Sequence, residues 1–242
     1  MSKINLILQG KGGVGKSMVA AMLAQYKQAK GHNPLCIDTD PVNATFAGYK
    51  TLDVRRVELL AGDEIDTRRF DSMVELLATA QGDVIVDNGA SSFVPLSHYL
   101  VSNEVPALLR GLGHELVVHT VVTGGQALVD TVSGFAQLAT QFPADCLFIV
   151  WLNPYFGPVA SEDGKPFEAM KAYTTNKARV SALVQIPALK GETYGRDLSD
   201  MLQARRTFEE TLGTAAVPLM TRQRLKIVRD QLFRQLDGAA VL

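Results

Sequence analysis

Cysteine, tryptophan and long apolar runs are scarce in this chain. Its 242 residues include two cysteines and one tryptophan. Cys36 and Cys146 both lie in apolar, strand-like runs, so we expect two reduced, buried thiols in a cytoplasmic protein rather than a disulfide framework. No apolar run reaches the roughly 20 residues that a membrane-spanning helix requires. The N-terminus leads directly into a strand-like run, so we also expect no signal peptide.

An excess of charge is absent as well. The chain has 24 basic and 25 acidic side chains and a formal net charge of −1, so its composition gives no bulk attraction to nucleic acid or membranes. Its length suits one α/β domain. The histidines His98, His114 and His119 are too scattered along the chain to predict a metal site.

What the chain does have is a glycine-rich loop near its N-terminus. Residues 10–17 read GKGGVGKS and match the phosphate-binding pattern G-x-x-x-x-G-K-[S/T]. We expect Gly10, Gly12 and Gly13 to permit backbone conformations with positive φ, so that consecutive N–H groups approach phosphate oxygens. An apolar strand-like run precedes the loop and a helical run follows it. That helix would add its unpaired N-terminal amides to the anion site.

This loop predicts binding of ATP and Mg²⁺. Lys16 is expected to reach the β- and γ-phosphates, and Ser17 to supply a hydroxyl group to the metal. The loop and the residue after it form the candidate nucleotide-binding set: Gly10, Lys11, Gly12, Gly13, Val14, Gly15, Lys16, Ser17 and Met18.

Strand-like and helical patterns alternate along the rest of the chain. We predict strands near residues 3–9, 34–38, 83–87, 115–122 and 145–152, with weaker candidates near 53–58 and 181–186. We predict helices near residues 16–30, 67–80, 96–110, 126–141, 165–175, 197–212 and 219–236. This order favours an α/β fold with a mostly parallel, twisted sheet and helices on both faces. No change in composition marks a linker.

Aspartates follow two of the predicted strands. Ligands bind at the carboxyl ends of the strands in an open parallel sheet, and Asp38 and Asp87 both lie there. We expect Asp87 to hold Mg²⁺ through water and Asp38 to join the same oxygen shell with Ser17. Asp40 lies just beyond and is expected to orient or deprotonate the water that attacks the γ-phosphate. The plainer interpretation of each aspartate is a turn residue that bonds its own backbone.

Together these motifs resemble a family. Residues 11–17 are similar to the deviant Walker A motif of the ParA/MinD ATPases, residues 38–41 to its second acidic motif, and residues 84–87 to its Walker B motif. The resemblance implies a single ParA/MinD-like P-loop NTPase domain over residues 1–242. Two departures stand out. Val42-Asn43 replaces the usual Gln-Gly, and Gly89 replaces a proline, so the rate and trigger of hydrolysis do not follow from the resemblance.

The resemblance also implies a mechanism. Two subunits would sandwich two ATP molecules, and hydrolysis to ADP would open the dimer. The implied catalytic residues are Lys11, which would reach the partner subunit's nucleotide, Lys16 within its own subunit, and Asp40 at the attacking water. Asn153 and Pro187 fall where this family contacts the adenine.

Further segments narrow the implied function. Residues 38–45, 87–99, 119–125 and 220–228 resemble an ATPase encoded in the conjugal transfer regions of broad-host-range plasmids. This resemblance implies a dimeric ATP-driven switch whose partners are conjugation machinery proteins. Two alternatives stay open. One is a plasmid partition or positioning ATPase, and the other is a metabolic P-loop enzyme of the dethiobiotin-synthetase type, for which the sequence has no small-molecule motif.

The C-terminal segment combines an apolar stripe with basic side chains. The stripe has helical spacing and comprises Leu225, Val228, Leu232 and Leu236. A terminal helix packed on the sheet is the simplest prediction. The basic side chains leave a non-specific DNA-binding edge open; they are Arg222, Arg224, Lys226, Arg229 and Arg234. A membrane-surface helix is disfavoured, because only Phe233 supplies an aromatic anchor.

Overall fold

Strands and helices alternate through most of the chain in this computed structural model, which describes residues 2–239 and 242. The strands are β1 Ser2–Ile7, β2 Leu35–Asp38, β3 Arg55–Arg56, β4 Leu60–Ala61, β5 Glu64–Ile65, β6 Val84–Asp87, β7 His114–Thr123, β8 Leu147–Asn153 and β9 Val180–Gln185. The helices are α1 Lys16–Ala29, α2 Arg69–Ala78, α3 Phe93–Ser102, α4 Val105–Gly111, α5 Leu128–Gln141, α6 Lys171–Asn176, α7 Arg196–Gln203, α8 Phe208–Leu212 and α9 Leu219–Asp237.

A seven-stranded parallel sheet forms the centre, in the order β3-β2-β6-β1-β7-β8-β9. Alternate residues of each inner strand face opposite layers. In β1, Ile4 and Leu6 pack with α2 to α5, whereas Ile7 packs with α1 and α7 to α9. Because both faces are covered, the inner strands are continuous apolar runs. The predicted α/β fold, with a mostly parallel sheet and helices on both faces, is confirmed.

The strand register gathers the polar strand ends at one edge of the sheet. Ile7 of β1 pairs with Asp87 of β6, and Asp87 in turn pairs with Asp38 of β2. On the other side, Thr123 of β7 pairs with Asn153 of β8. The residues that the sequence placed after separate strands therefore lie side by side.

Three predicted helices were wrong in extent. The helix predicted over 96–110 is two helices, because Glu104 has a φ of 50° and interrupts the helical turn. The helix predicted over 197–212 also divides, at Arg205, whose φ is 52°. Thr207 then begins α8 with a reciprocal capping box to Glu210. Of the helix predicted over 165–175, only α6 is α-helical, after a 3₁₀ turn at Phe167–Ala169.

The C-terminal helix α9 packs on the sheet, as predicted. Its apolar stripe is buried, while Lys226 and Arg229 pair with Asp230 and Arg224 pairs with Asp197. These intrachain ion pairs reduce the positive charge that α9 presents to a nucleic acid. No described helix is both long and apolar enough to cross a membrane.

A buried polar network ties the inner strands together. Trp151 Nε1 donates to His119 Nδ1 at 3.0 Å, so the other ring nitrogen, Nε2, carries the hydrogen and donates to Asn5 Oδ1 at 3.0 Å. Asn5 Nδ2 donates to the carbonyl oxygen of Val84 at 3.0 Å. Desolvation lowers the pKa of His119 to about 3. The imidazole is therefore neutral, and the network joins four adjacent strands. Cys36 and Cys146 are free and buried, as predicted.

The neutral His119 should make stability depend on pH. Its pKa is about 3 in the folded chain against an ordinary 6.5, so between these values only the unfolded chain takes up the proton. The contribution of neutral His119 to the free energy of unfolding is therefore fully present above pH 6.5 and is lost as the pH falls below that value. We expect the stability advantage of the unmodified protein over His119→Gln to narrow by about 2 kcal/mol from pH 7 to pH 5. Urea unfolding of both proteins at both pH values measures this difference, and an unchanged difference would contradict a neutral His119.

Candidate functional site

The glycine-rich loop connects β1 to α1 and uses its glycines in two ways. Gly13 and Gly15 have φ values of 75° and 107°, which side chains disfavour. The prediction of positive φ was correct at Gly13 and wrong at Gly10 and Gly12. Gly10 is needed for close approach instead, because a Cβ there would lie 2.9 Å from the ring of Phe93.

Lys16 is folded back over the loop. Its Nζ donates to the carbonyl oxygen of Lys11 at 3.0 Å, and its side chain is buried. Burial lowers the pKa of Lys16, and the carboxylates of Asp87 and Asp40 oppose that shift. A cation held beside the loop amides, with only one carbonyl contact, is placed to interact with an anion.

Lys11 points away from the loop instead. Its Nζ lies 2.7 Å from Asp130 Oδ2 at the start of α5, and the two side chains are 46% and 55% exposed. The two lysines of the loop therefore have different environments, one enclosed and one at the surface.

The carboxylates of Asp38 and Asp87 are both buried, but only one is hydrogen-bonded. Asp38 accepts from the backbone N–H groups of Asp40 at 2.9 Å and Ala47 at 2.8 Å. Neither carboxylate oxygen of Asp87 has a hydrogen-bond partner. Burial raises the pKa of Asp87 to about 7. The nearby Ser17 hydroxyl, which makes no well-formed hydrogen bond to it, and the charge of Lys16 oppose this shift, whereas the charge of Asp38 adds to it. A buried carboxylate without a partner is characteristic of a site that a cation completes.

Protein groups alone do not complete a metal site in the described part of the chain. No cluster of three or more His, Cys, Asp or Glu side chains there has the geometry to hold a metal ion. The residues present suit Mg²⁺, which keeps several waters and takes further oxygens from a phosphate ligand.

Asp40 makes the turn that its plainer interpretation predicts. Its Oδ1 accepts from the backbone N–H groups of Val42 at 2.9 Å and Asn43 at 3.2 Å. The same carboxylate packs against the loop after β6, where a Cβ on Gly89 would lie 2.7 Å from Asp40 Oδ1. This contact explains why a glycine stands at position 89, which sequence alone did not reveal.

A second contact between these two loops lies deeper. Thr39 Oγ1 donates to the carbonyl oxygen of Asp87 at 3.0 Å and to Asn88 Oδ1 at 3.2 Å. Ser92 Oγ donates to the same Asn88 oxygen at 2.8 Å, and these side chains are all buried. In the sequence, these three side chains are recognisable only as uncharged polar residues that stand directly after a strand or at the start of a helix.

A cleft of about 950 Å³ lies beside the phosphate loop and Asp40, and neither Asp38 nor Asp87 is part of its lining. Lys16, Asp40, Asn153 and Pro187 all line it, so the structure brings these predicted residues together. Asn153 is mostly engaged with the protein: its Nδ2 donates to the Val14 carbonyl oxygen at 2.9 Å. Contact of Asn153 or Pro187 with an adenine stays a prediction.

Removing the charge of Asp87 should stabilise the ligand-free protein. At pH 8 this carboxylate is mostly ionised and has no donor, which costs folding free energy. We expect Asp87→Asn to raise the free energy of unfolding by about 2 kcal/mol. Urea unfolding without nucleotide or metal measures it. Exposed Asp53→Asn is the matched control and should change stability by less than about 0.5 kcal/mol. A lower stability of Asp87→Asn would contradict this account.

Known proteins are similar to this chain over most or all of its length. Residues 6–229 match the CobQ/CobB/MinD/ParA nucleotide binding domain. Two Escherichia coli proteins named "Protein TraL" are 72% and 71% identical to the chain, each over its full 242 residues and the full length of the relative.

Solved structures share the fold at low sequence identity. The MinD cell division protein of Aquifex aeolicus is 14% identical, with a TM-score of 0.50 over 98% of both chains. The same organism's MinC:MinD cell division protein complex matches at 14% identity and a TM-score of 0.53, over 98% of this chain and 96% of that one. The chain therefore belongs to the CobQ/CobB/MinD/ParA family of nucleotide-binding domains.

Proposed function

We propose that the chain is a Mg²⁺-dependent ATPase that acts as a dimeric switch in plasmid conjugative DNA transfer. The observation that carries this proposal is the pair formed by Lys16, which lines the cleft, and the buried, unpartnered Asp87, whose charge acts on Lys16. Family membership supports nucleotide binding. The conjugation role rests on the similarity to the TraL proteins.

The residues of the loop would bind the phosphates. The amides around Gly13 and Gly15, with the N-terminus of α1, would cradle the phosphate oxygens, and Lys16 would exchange the Lys11 carbonyl for the β- and γ-phosphates. Ser17 and Asp87 would hold Mg²⁺, the latter through water. Bound Mg²⁺ would neutralise charge that develops on the phosphate oxygens during hydrolysis.

Asp38 and Asp40 would have separate roles. The backbone N–H groups of Asp40 and Ala47 donate to the Asp38 carboxylate and fix it on the strand beside Asp87, where it would join the outer shell of the metal. Asp40 lines the cleft and would orient the attacking water. Its packing against Gly89 links this position to the loop after Asp87.

Lys11 would act on the nucleotide of a second subunit. Its exposed ion pair with Asp130 is worth at most about 1 kcal/mol after solvent screening, so dimer formation can release it. Exposed Val42, Val94 and Val129 also support a partner surface here. Val42 lines the cleft. Val94 follows Phe93, which packs against Gly10 of the loop, and Val129 precedes Asp130, which pairs with Lys11.

Solution mass distinguishes this switch from a metabolic enzyme. Light scattering with ATP and Mg²⁺, with ADP and Mg²⁺, and without nucleotide should give a dimer with ATP only. If the solution mass were the same under all three conditions although the chain bound ATP, the result would favour the metabolic enzyme. A partition or positioning ATPase would share the ATP-dependent dimer but would leave plasmid transfer frequency unchanged when Lys16 is replaced by alanine.

Lys11→Ala should separate nucleotide binding from dimer formation. We expect the variant to bind ATP with an affinity within about threefold of the unmodified chain, because Lys16 and the loop amides remain. We expect it to stay monomeric with ATP and Mg²⁺, because the charge that would cross the interface is gone. Calorimetry and light scattering measure the two effects.

Asp130→Asn is the matched control for this variant. It breaks the same ion pair but keeps the cation, so it should still form the ATP-dependent dimer. An unchanged dimer in Lys11→Ala would refute the role of Lys11 across the interface.

A further inference from the structure

Two adjacent aromatic side chains are exposed at the rim of the cleft. Tyr155 is 75% exposed and Phe156 is 53% exposed. Every other phenylalanine, tyrosine and tryptophan side chain in the described residues is buried or half-buried. Burying such rings would normally stabilise a fold, so two adjacent rings left in solvent indicate a binding surface.

The two rings form a right-angled corner. Their centroids lie 4.9 Å apart and their planes cross at 89°. A flat ligand can therefore stack on the face of one ring while its edge contacts the other. Both residues line the same cleft as Gly15 and Met18, next to the phosphate loop.

The turn that carries these rings is tightly seated on the protein. A Cβ on Gly124 would lie 2.1 Å from the Gly157 carbonyl oxygen, and one on Gly125 would lie 2.5 Å from the Phe156 carbonyl oxygen. Only glycine at these positions permits that approach. The backbone beneath the rings is therefore fixed although the rings themselves are exposed.

Asn153 joins this turn to the phosphate loop. Its Oδ1 accepts from the Tyr155 backbone N–H at 3.1 Å, while its Nδ2 donates to the Val14 carbonyl oxygen at 2.9 Å. One buried side chain thus sets the distance between the aromatic corner and the site that would hold the phosphates.

We propose that Tyr155 and Phe156 form a stacking platform for the base of the nucleotide in this cleft. The inference rests on the proposed nucleotide-binding function and adds the residues that hold the base. An aromatic ring can stack on any nucleotide base, and this stacking depends on the ring and not on a hydroxyl group. The phosphate loop and Lys16 would hold the triphosphate independently of the platform.

Calorimetric titration of ATP and of inorganic tripolyphosphate, both with Mg²⁺, tests the platform. We expect Tyr155→Ala and Phe156→Ala each to weaken ATP binding about tenfold, in keeping with the loss of one stacking contact. Binding of tripolyphosphate, which has no base, should change less than about twofold. Tyr155→Phe should keep the affinity for ATP, and Leu219→Ala is the control for an exposed apolar residue outside both the cleft lining and the proposed partner surface.

Three results would overturn the inference. Unchanged ATP affinity in both alanine variants would assign the rings to a protein-facing surface. Equal weakening of ATP and tripolyphosphate would mean that the rings act on the phosphate loop through Asn153. If the unmodified chain bound neither ATP nor tripolyphosphate, this result would instead overturn the proposed function, and the platform with it.

Discussion

The buried carboxylate of Asp87 is the constraint on which the rest of the site depends. It ends an inner strand, pairs in register with Ile7 and Asp38, and has no donor for either oxygen. Burying a charge in this way costs folding free energy unless a cation or a proton compensates it. Burial raises the pKa of Asp87 and lowers the pKa of Lys16, because each charged group has been removed from water. A bound metal ion would give Asp87, and a bound phosphate would give Lys16, the partner that the protein itself does not provide.

Side-chain hydrogen bonds join strand ends to each other and to the phosphate loop. Thr39 reaches Asn88 on one side of the phosphate loop, and Asn153 reaches Val14 on the other. The groups placed to contact metal, phosphate and base are therefore fixed to one another through the sheet.

Local patterns predicted most of the fold and the phosphate loop, because strand, loop and helix lie within one stretch of chain. The breaks at Glu104 and Arg205 were missed, since each is a non-glycine residue with positive φ, which tertiary packing imposes rather than sequence. The packing of Asp40 on Gly89 joins residues far apart in the chain, so no spacing could reveal it. The aromatic corner was missed for a different reason: its exposure is a property of the folded chain alone.

The measurement that tests the central claim most directly is calorimetric titration of the unmodified chain with ATP, in Mg²⁺ and again in excess EDTA. The account predicts one ATP bound per chain in Mg²⁺, with affinity at least about tenfold weaker in EDTA, because Asp87 then faces the phosphates without a cation between them. ATP binding of equal strength in both buffers, or none in either, would contradict it.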